Sequence, residues 1–92
     1  MTFGTELLEP LLGKQVIFDM SSPFVILGTL TGGDESYLTL DEADVHDLRD
    51  TTTTRENYVV DSKRYGIRVN RQRVLVRVTE IVSLSVLDDV VI

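Results

Sequence analysis

Hydrophobic and polar residues follow a helical spacing in the first part of the chain and alternate with the spacing of β-strands after it. The N-terminal segment can be capped by Thr2 or Thr5, and Gly13 is suited to its end. Pro10 is expected to end or kink the helix, because its ring clashes with the preceding turn. The spacing predicts a short amphipathic helix whose apolar residues are Phe3, Leu7, Leu8, Leu11 and Leu12.

From Lys14 onwards the period changes to two, which predicts β-strands. The first strand ends near residue 20 with one well-buried face and a partly covered second face, and a turn follows at 21–23. The next strand contains Gly28, which indicates a bend or bulge. The segment 32–34 predicts a hairpin turn in which the glycines supply the turn dihedrals and Asp34 caps the backbone. A third strand is expected from about 36 to 45.

The second half of the chain predicts two further strands. Residues 46–56 are polar and are expected to form the longest loop. Residues 57–70 are interpreted as the fourth strand and 74–86 as the fifth, separated by a short break at Arg71 and Gln72. The predicted fold is mostly β: an N-terminal α-helix followed by a strongly bent, five-stranded antiparallel SH3-like barrel.

Length and composition narrow the class of protein. Ninety-two residues form one domain, 1–92, with a single small core. The chain contains no cysteine, which excludes disulfides, zinc–thiolate sites and thiol nucleophiles. No apolar stretch is long enough for a membrane span, and no basic flank of a signal peptide is present at the N-terminus. We therefore expect a soluble protein of the cytoplasm.

Charge is distributed unevenly along the chain. Residues 1–50 contain two basic and ten acidic side chains, whereas residues 51–92 contain seven basic and five acidic ones. Between 62 and 78 there are six basic residues and no acidic one. Such a stripe either attracts an anionic partner or forms a solvated strand edge that discourages aggregation. The stripe consists of Lys63, Arg64, Arg68, Arg71, Arg73 and Arg77.

Catalytic and metal-binding patterns are weak. The single histidine, His46, is expected to lie on the surface, because no second histidine or cysteine accompanies it. The acidic residues near it lack the spacing of a calcium loop and are interpreted as a solvated face: Asp41, Glu42, Asp44 and Asp47. No nucleophile elbow or P-loop is present. We expect neither an enzyme nor a bound metal or cofactor.

The order of the motifs resembles the Sm/LSm family. In that family a first motif runs from an apolar-Gly-Lys-x-Val start through Gly-x-Leu and an aspartate to Leu-x-Asp. The strings "LLGKQVIF", "GTLTGGD", "LTLDEADV" and "GIRVN" follow this order over nearly the whole chain. The matching positions are Leu12, Gly13, Lys14, Val16, Gly28, Leu30, Asp34, Leu40 and Asp41.

This resemblance implies a homo-oligomeric ring, closed by pairing of the fourth and fifth strands of neighbouring subunits, that binds single-stranded, often uridine-rich RNA near its pore. Asp34 matches the first-motif aspartate, and Tyr37 takes the place of the expected asparagine. The second motif, Ile-Arg-Gly in most members, falls either on 67–69, which contains Arg68 and is followed by Asn70, or on 69–71, which contains Asn70 and Arg71. A structural ring that binds protein partners through a degenerate RNA site remains the alternative.

Overall fold

The computed structural model describes residues 5–92 and shows one antiparallel sheet with two short helices. The sheet order is β4-β3-β2-β1-β5. Predicted helix residues Thr2 and Phe3 lie outside the described residues. The elements are α1 (Thr5–Leu8), β1 (Gln15–Met20), β2 (Phe24–Gly33), β3 (Tyr37–Asp47), α2 (Arg55–Tyr65), β4 (Arg71–Arg77) and β5 (Ile81–Val86).

The α-helical part of the N-terminal segment ends before Pro10, as the sequence predicted. A single 3-10 turn, Glu9–Leu11, follows α1 and contains the proline in its first positions. Gly13 then takes a φ of +83°, which few residues other than glycine adopt. The amide of Gly13 donates to the carbonyl of Leu30 at 2.7 Å, so this turn directs the chain into β1, alongside β2.

The sheet bends strongly because its two edge strands are adjacent in sequence. β4 and β5 lie at opposite ends of the strand order, yet only the 3-10 turn Val78–Glu80 connects them. Four peptide units span at most about 15 Å, whereas five flat strands would place the edges about 19 Å apart. The sheet must therefore curl until its edges approach each other, which confirms the predicted bent barrel.

The concave face of the sheet contains the main core. Val16 and Phe18 are fully buried there, whereas Ile17 points to the opposite face, as the alternation in β1 predicted. At Gly28 the pairing of β2 with β3 shifts register, so the predicted bulge is present. A Cβ at Gly28 would lie 3.2 Å from the Cβ of Ala43, which explains the glycine. The buried core residues are Leu8, Val16, Phe18, Met20, Ile26, Leu30, Leu38, Leu40, Ala43 and Val76.

The second half of the chain differs from the prediction. Most of 57–70 forms a helix, α2, and 74–86 is divided between β4 and β5 instead of forming one strand. The Thr54 hydroxyl accepts from the amide of Asn57 at 3.1 Å and caps the helix start. Gly66, with a φ of +95°, ends it. The expected long loop is also shorter, because β3 continues to Asp47 and a 3-10 turn follows at Leu48–Asp50.

Helix α2 covers the convex face of the sheet and forms a second, smaller core there. Tyr58 and Val59 pack against the fully or almost fully buried Ile17, Val25 and Leu27 of the first two strands. The ammonium group of Lys63 donates to the carbonyl oxygens of Asp88 at 2.8 Å and Val90 at 2.5 Å. These bonds hold the segment after β5 against α2. Within residues 5–92, no helix has the length and apolar character that crossing a membrane requires.

Candidate functional site

The turn between β2 and β3 is organised by Asp34. Its Oδ1 accepts from the amides of Ser36 at 2.7 Å and Tyr37 at 2.9 Å, and its own amide donates to the carbonyl of Tyr37 at 2.8 Å. These backbone donors, chiefly that of Tyr37, hold the pKa of the Asp34 carboxyl below its ordinary value. The carboxylate therefore shapes the turn, in the capping role predicted for it.

The glycines of this turn act through their small size, which differs from the prediction. Gly32 and Gly33 belong to β2 and have no left-handed φ. A Cβ on Gly33 would lie 2.5 Å from Leu38 Cδ2 and 2.9 Å from the carbonyl oxygen of Tyr37. Gly33 thus allows the two strands to approach closely just before the turn.

Tyr37 and Arg77 form the centre of the candidate site. They are direct partners in the pairing of β3 with β4. Arg77 Nη2 donates to Tyr37 Oη at 3.1 Å, and the guanidinium carbon lies 5.7 Å from the ring centroid. This hydrogen bond raises the pKa of Arg77. A guanidinium is always protonated in proteins, so a positive charge lies beside the aromatic ring.

The β2–β3 turn and the β4–β5 turn meet at this point. The amide of Val78 donates to the carbonyl of Ser36 at 2.9 Å and ties the two turns together. A cavity of about 250 Å³ opens between them, lined by Glu35, Ser36, Tyr37, Arg77 and Thr79. An aromatic ring beside a guanidinium is an arrangement that can stack on a nucleobase and neutralise a phosphate.

The other predicted site residues lie away from this cavity. Arg71 pairs with Ala43 on β3, six residues from Tyr37, which corresponds to about 20 Å along the strand. Arg68 and Asn70 precede β4 at the same end. The structure therefore brings Asp34 and Tyr37 together but separates them from Arg68, Asn70 and Arg71.

Asn70 is occupied by structural hydrogen bonds. Its Oδ1 accepts from the amide of Val45 at 2.9 Å, and its Nδ2 donates to the Val45 carbonyl at 3.0 Å and to Asp44 Oδ1 at 3.1 Å. Both donors and the acceptor of the amide are thus used within the chain. This side chain joins the start of β4 to β3.

Arg77 is the residue that the sequence analysis missed at this site. The two registers proposed for the second motif end before β4 or at its first residue, because 74–86 was interpreted as one continuous strand, which left no turn after Arg77. The string Val76-Arg77-Val78, directly before a break between two valine-rich strands, offers a third register on the Ile-Arg-Gly pattern. Recognising that break would have placed Arg77 in the motif.

The acidic residues of β3 do not form one solvated face. Arg73 binds Asp41 through Nε at 2.7 Å and Nη2 at 3.2 Å, and Arg49 binds Asp47 through Nη2 at 2.8 Å. Asp44 is only 2% exposed and accepts a hydrogen bond from the hydroxyl of Tyr58. The prediction of a solvated face is therefore wrong for Asp44.

His46 is half-buried and not a simple surface residue. Its ring stacks on that of Tyr58, with centroids 3.9 Å apart and planes inclined by 10°. Burial, and then the hydrogen bond to Asp44, raise the pKa of Tyr58 well above its ordinary value. Tyr58 is thus a neutral donor that links α2 to both acidic and aromatic groups of β3.

Comparison with known proteins gives a match at the level of the fold. No protein-family model and no curated protein matches the sequence. Among solved structures, the chain is similar to the Sm protein of Pyrococcus abyssii in complex with a uridine heptamer. The TM-score is 0.61 at 15% sequence identity, and the match covers 89% of this chain and 94% of the Pyrococcus chain. The bent five-stranded sheet after a short N-terminal helix is therefore an Sm-like fold.

Proposed function

We propose that the protein is a divergent member of the Sm/LSm family. In this proposal it assembles into a homo-oligomeric ring and binds single-stranded RNA in the cavity formed by Tyr37 and Arg77. The observation that supports this most directly is the position of the two side chains. They lie where the β2–β3 and β4–β5 turns meet, and Arg77 precedes a turn that fits the family's second motif. The Pyrococcus protein of similar fold was solved with a uridine heptamer.

The chemistry of the cavity suits one nucleotide of a flexible strand. Tyr37 offers a ring for stacking, and Arg77 a charge that is not neutralised by an ion pair within residues 5–92. Stacking on an aromatic side chain contributes about 1–3 kcal/mol per base. Asp34 contributes indirectly, because it holds the turn that carries Tyr37.

The two edges of the sheet support the proposal of ring assembly. β4 and β5 each have one neighbour within the protomer, so each presents an unpaired row of backbone groups. Leu75 on β4 is 58% exposed and Val82 on β5 is 71% exposed. Pairing β4 of one subunit with β5 of the next would satisfy the backbone and bury both side chains.

RNA binding is tested by fluorescence anisotropy with a labelled uridine heptamer at low and at physiological salt. We expect binding that weakens as salt rises, because phosphate contacts are screened. Arg77→Gln removes a charge-assisted contact worth about 1.5–3 kcal/mol, which corresponds to a roughly tenfold or greater loss of affinity. Arg73→Gln is the matched control, because it makes the same change on the same strand where Asp41 neutralises the charge.

Two results would count against this proposal. One is an equal effect of Arg77→Gln and Arg73→Gln on heptamer binding. The other is no binding at low salt by a protein that forms rings, which would favour the alternative of a scaffold for protein partners.

Assembly is tested separately by native mass spectrometry and light scattering. We expect Leu75→Glu or Val82→Glu to release monomers, because a charge would be buried between paired edges. Val91→Glu is the control, since Val91 is 90% exposed and lies outside the edge strands. A monomeric parent protein, or rings that persist in both edge variants, would contradict assembly through these edges.

A further inference from the structure

A second and larger cavity lies near the end of β4 that is distant from Tyr37 and Arg77. Its volume is about 580 Å³, about twice that of the first cavity, and it opens between α2, β3 and the segment before β4. Volumes of about 300–1,000 Å³ are typical of small-molecule sites. Helix α2 creates this cavity, because Tyr58 and Asp61 of the helix form one of its walls.

One part of the cavity wall is aromatic and held in place. His46 stacks on Tyr58, and the hydroxyl of Tyr58 donates to the buried Asp44. Asn70 donates to the other oxygen of Asp44, and the Thr51 hydroxyl lies 3.4 Å from His46 Nε2. The imidazole that lines the cavity is therefore positioned before any ligand arrives, which lowers the entropy cost of binding a flat ring.

Two charged groups on the cavity wall have no partner in the described chain. Asp61 and Arg68 are both exposed, and neither side chain makes a hydrogen bond or ion pair with another residue of 5–92. A carboxylate only accepts hydrogen bonds, and a guanidinium only donates them. A ligand that satisfies both offers a hydrogen-bond donor at one end and an anion at the other, and two neighbouring N–H groups can bind both oxygens of the carboxylate.

A cation alone does not fit these residues. Within residues 5–92, no three histidine, aspartate or glutamate side chains converge to hold a metal ion. Arg68, which lines the cavity, would also repel a cation. The combination of aromatic wall, unpaired carboxylate and unpaired guanidinium instead matches the three parts of a nucleotide.

We propose that this cavity is a second nucleotide site, which takes a guanine nucleotide with the base against His46, its N–H edge on Asp61 and its phosphate on Arg68. Guanine presents two adjacent N–H donors that match a carboxylate. Uracil presents one N–H flanked by two carbonyl oxygens, which a carboxylate repels. The site does not depend on the Tyr37–Arg77 cavity or on ring formation.

The nucleotide can come from two sources, a free mononucleotide or a guanosine within an RNA strand. Tyr65 is 77% exposed and lies four residues after Asp61, so both side chains project from the same face of α2. A neighbouring base of a strand can stack on Tyr65, whereas a mononucleotide cannot use it. The effect of Tyr65→Ala therefore distinguishes the two sources.

The test is titration calorimetry of the full chain with GMP, UMP and guanosine. We expect GMP to bind at least fivefold more tightly than UMP. Arg68→Gln should weaken GMP binding at least fivefold and leave guanosine binding unchanged, and Asp61→Asn should abolish the preference for GMP over UMP. Both changes are at exposed side chains, so circular dichroism should show an unchanged fold. Lys14→Gln, a charge removal at a residue that does not line the cavity, is the control and should bind GMP like the parent.

Arg77→Gln separates this inference from the proposed function. GMP binding that survives Arg77→Gln and is lost in Arg68→Gln supports the second site even if the uridine heptamer never binds. Three results would overturn it. They are a loss of GMP binding in Arg77→Gln but not in Arg68→Gln, equal effects of Arg68→Gln and Lys14→Gln on GMP binding, and no binding up to about 1 mM GMP. If a guanosine-containing pentamer binds more tightly than GMP and Tyr65→Ala weakens its binding, the ligand is a strand. If the pentamer binds no more tightly than GMP and Tyr65→Ala has no effect, the ligand is the mononucleotide.

Discussion

Replacing Tyr58 by phenylalanine should destabilise the protein by removing one hydroxyl group. That hydroxyl is the donor to Asp44 Oδ2, and Asp44, on β3, is almost completely buried. The other oxygen of Asp44, Oδ1, accepts from Asn70 Nδ2 at 3.1 Å; Asn70 cannot replace the lost donor, because its second N–H already donates to the carbonyl of Val45. Phenylalanine keeps the ring that packs on His46 and in the second core. The change therefore isolates the loss of one hydrogen bond from a buried acidic group.

The magnitude follows from the burial of both partners. Leaving a buried acceptor without a donor costs about 1–3 kcal/mol, and more when the acceptor is charged. For a domain of this size each kcal/mol lowers Tm by about 4–8 °C. Tyr65→Phe is the matched control, because Tyr65 lies on the same helix with its side chain mostly in solvent. That change should alter the free energy of unfolding by less than about 0.5 kcal/mol.

The assay is thermal and urea unfolding of both variants, monitored by circular dichroism. All samples have the same protomer concentration, because assembly would make Tm depend on concentration. A double-mutant cycle with Asp44→Asn then measures the coupling between the two side chains, expected at about 0.5–3 kcal/mol. Equal stability of Tyr58→Phe and Tyr65→Phe, or a coupling energy near zero, would refute the reasoning that this buried pair attaches α2 to the sheet.

Three further outcomes are expected. Gly33→Ala should lower the free energy of unfolding by about 1–3 kcal/mol, because the new Cβ would overlap the facing strand. Gly32→Ala is the control and should be nearly neutral in the same urea titration, because no atom of the facing strand lies within 4 Å of its Cβ. Hydrogen bonds from the Arg49 side chain and backbone lower the pKa of Asp47 to about 2. Because the pKa of the folded state lies below that of the unfolded state, the charged carboxylate stabilises the fold. The Tm of the parent should therefore exceed that of Asp47→Asn fully above about pH 4, and the difference should disappear towards about pH 2. Lys63→Gln should speed amide exchange at Val90 and leave exchange in the strands unchanged, because only the segment after β5 loses its attachment.

The first half of the chain was predictable because its signals are local. Alternation in β1 separates Phe18 from Ile17, and it places each on the correct face of the sheet. Asp34 caps the turn through bonds to residues two and three positions later. Pro10 and Gly28 act through their own backbone geometry, so their effects could be inferred without knowledge of distant residues.

The second half was misread where tertiary contacts decide the structure. Tyr58, Val59 and neighbouring Val60 favour strands by intrinsic preference, but the helix caps at Thr54 and Gly66 and the packing of α2 on the sheet outweigh it. The burial signal of α2 was weak, since its third buried residue is Ser62. Misreading α2 as a strand also merged β4 with β5 and hid the turn after Arg77.

The sequence by itself determined the fold class, the bend of the sheet at Gly28 and the participation of Asp34 and Tyr37 in one turn. Only the tertiary structure decided which arginine joins Tyr37, because β3 pairs antiparallel with β4 and the register sets Arg77 opposite Tyr37 and Arg71 opposite Ala43. It also decided that Asp44 and His46 are withdrawn from solvent, since both depend on where α2 packs. Local patterns encode the strands and turns, whereas a site formed by residues 40 positions apart depends on strand register, which no local pattern in this chain specifies.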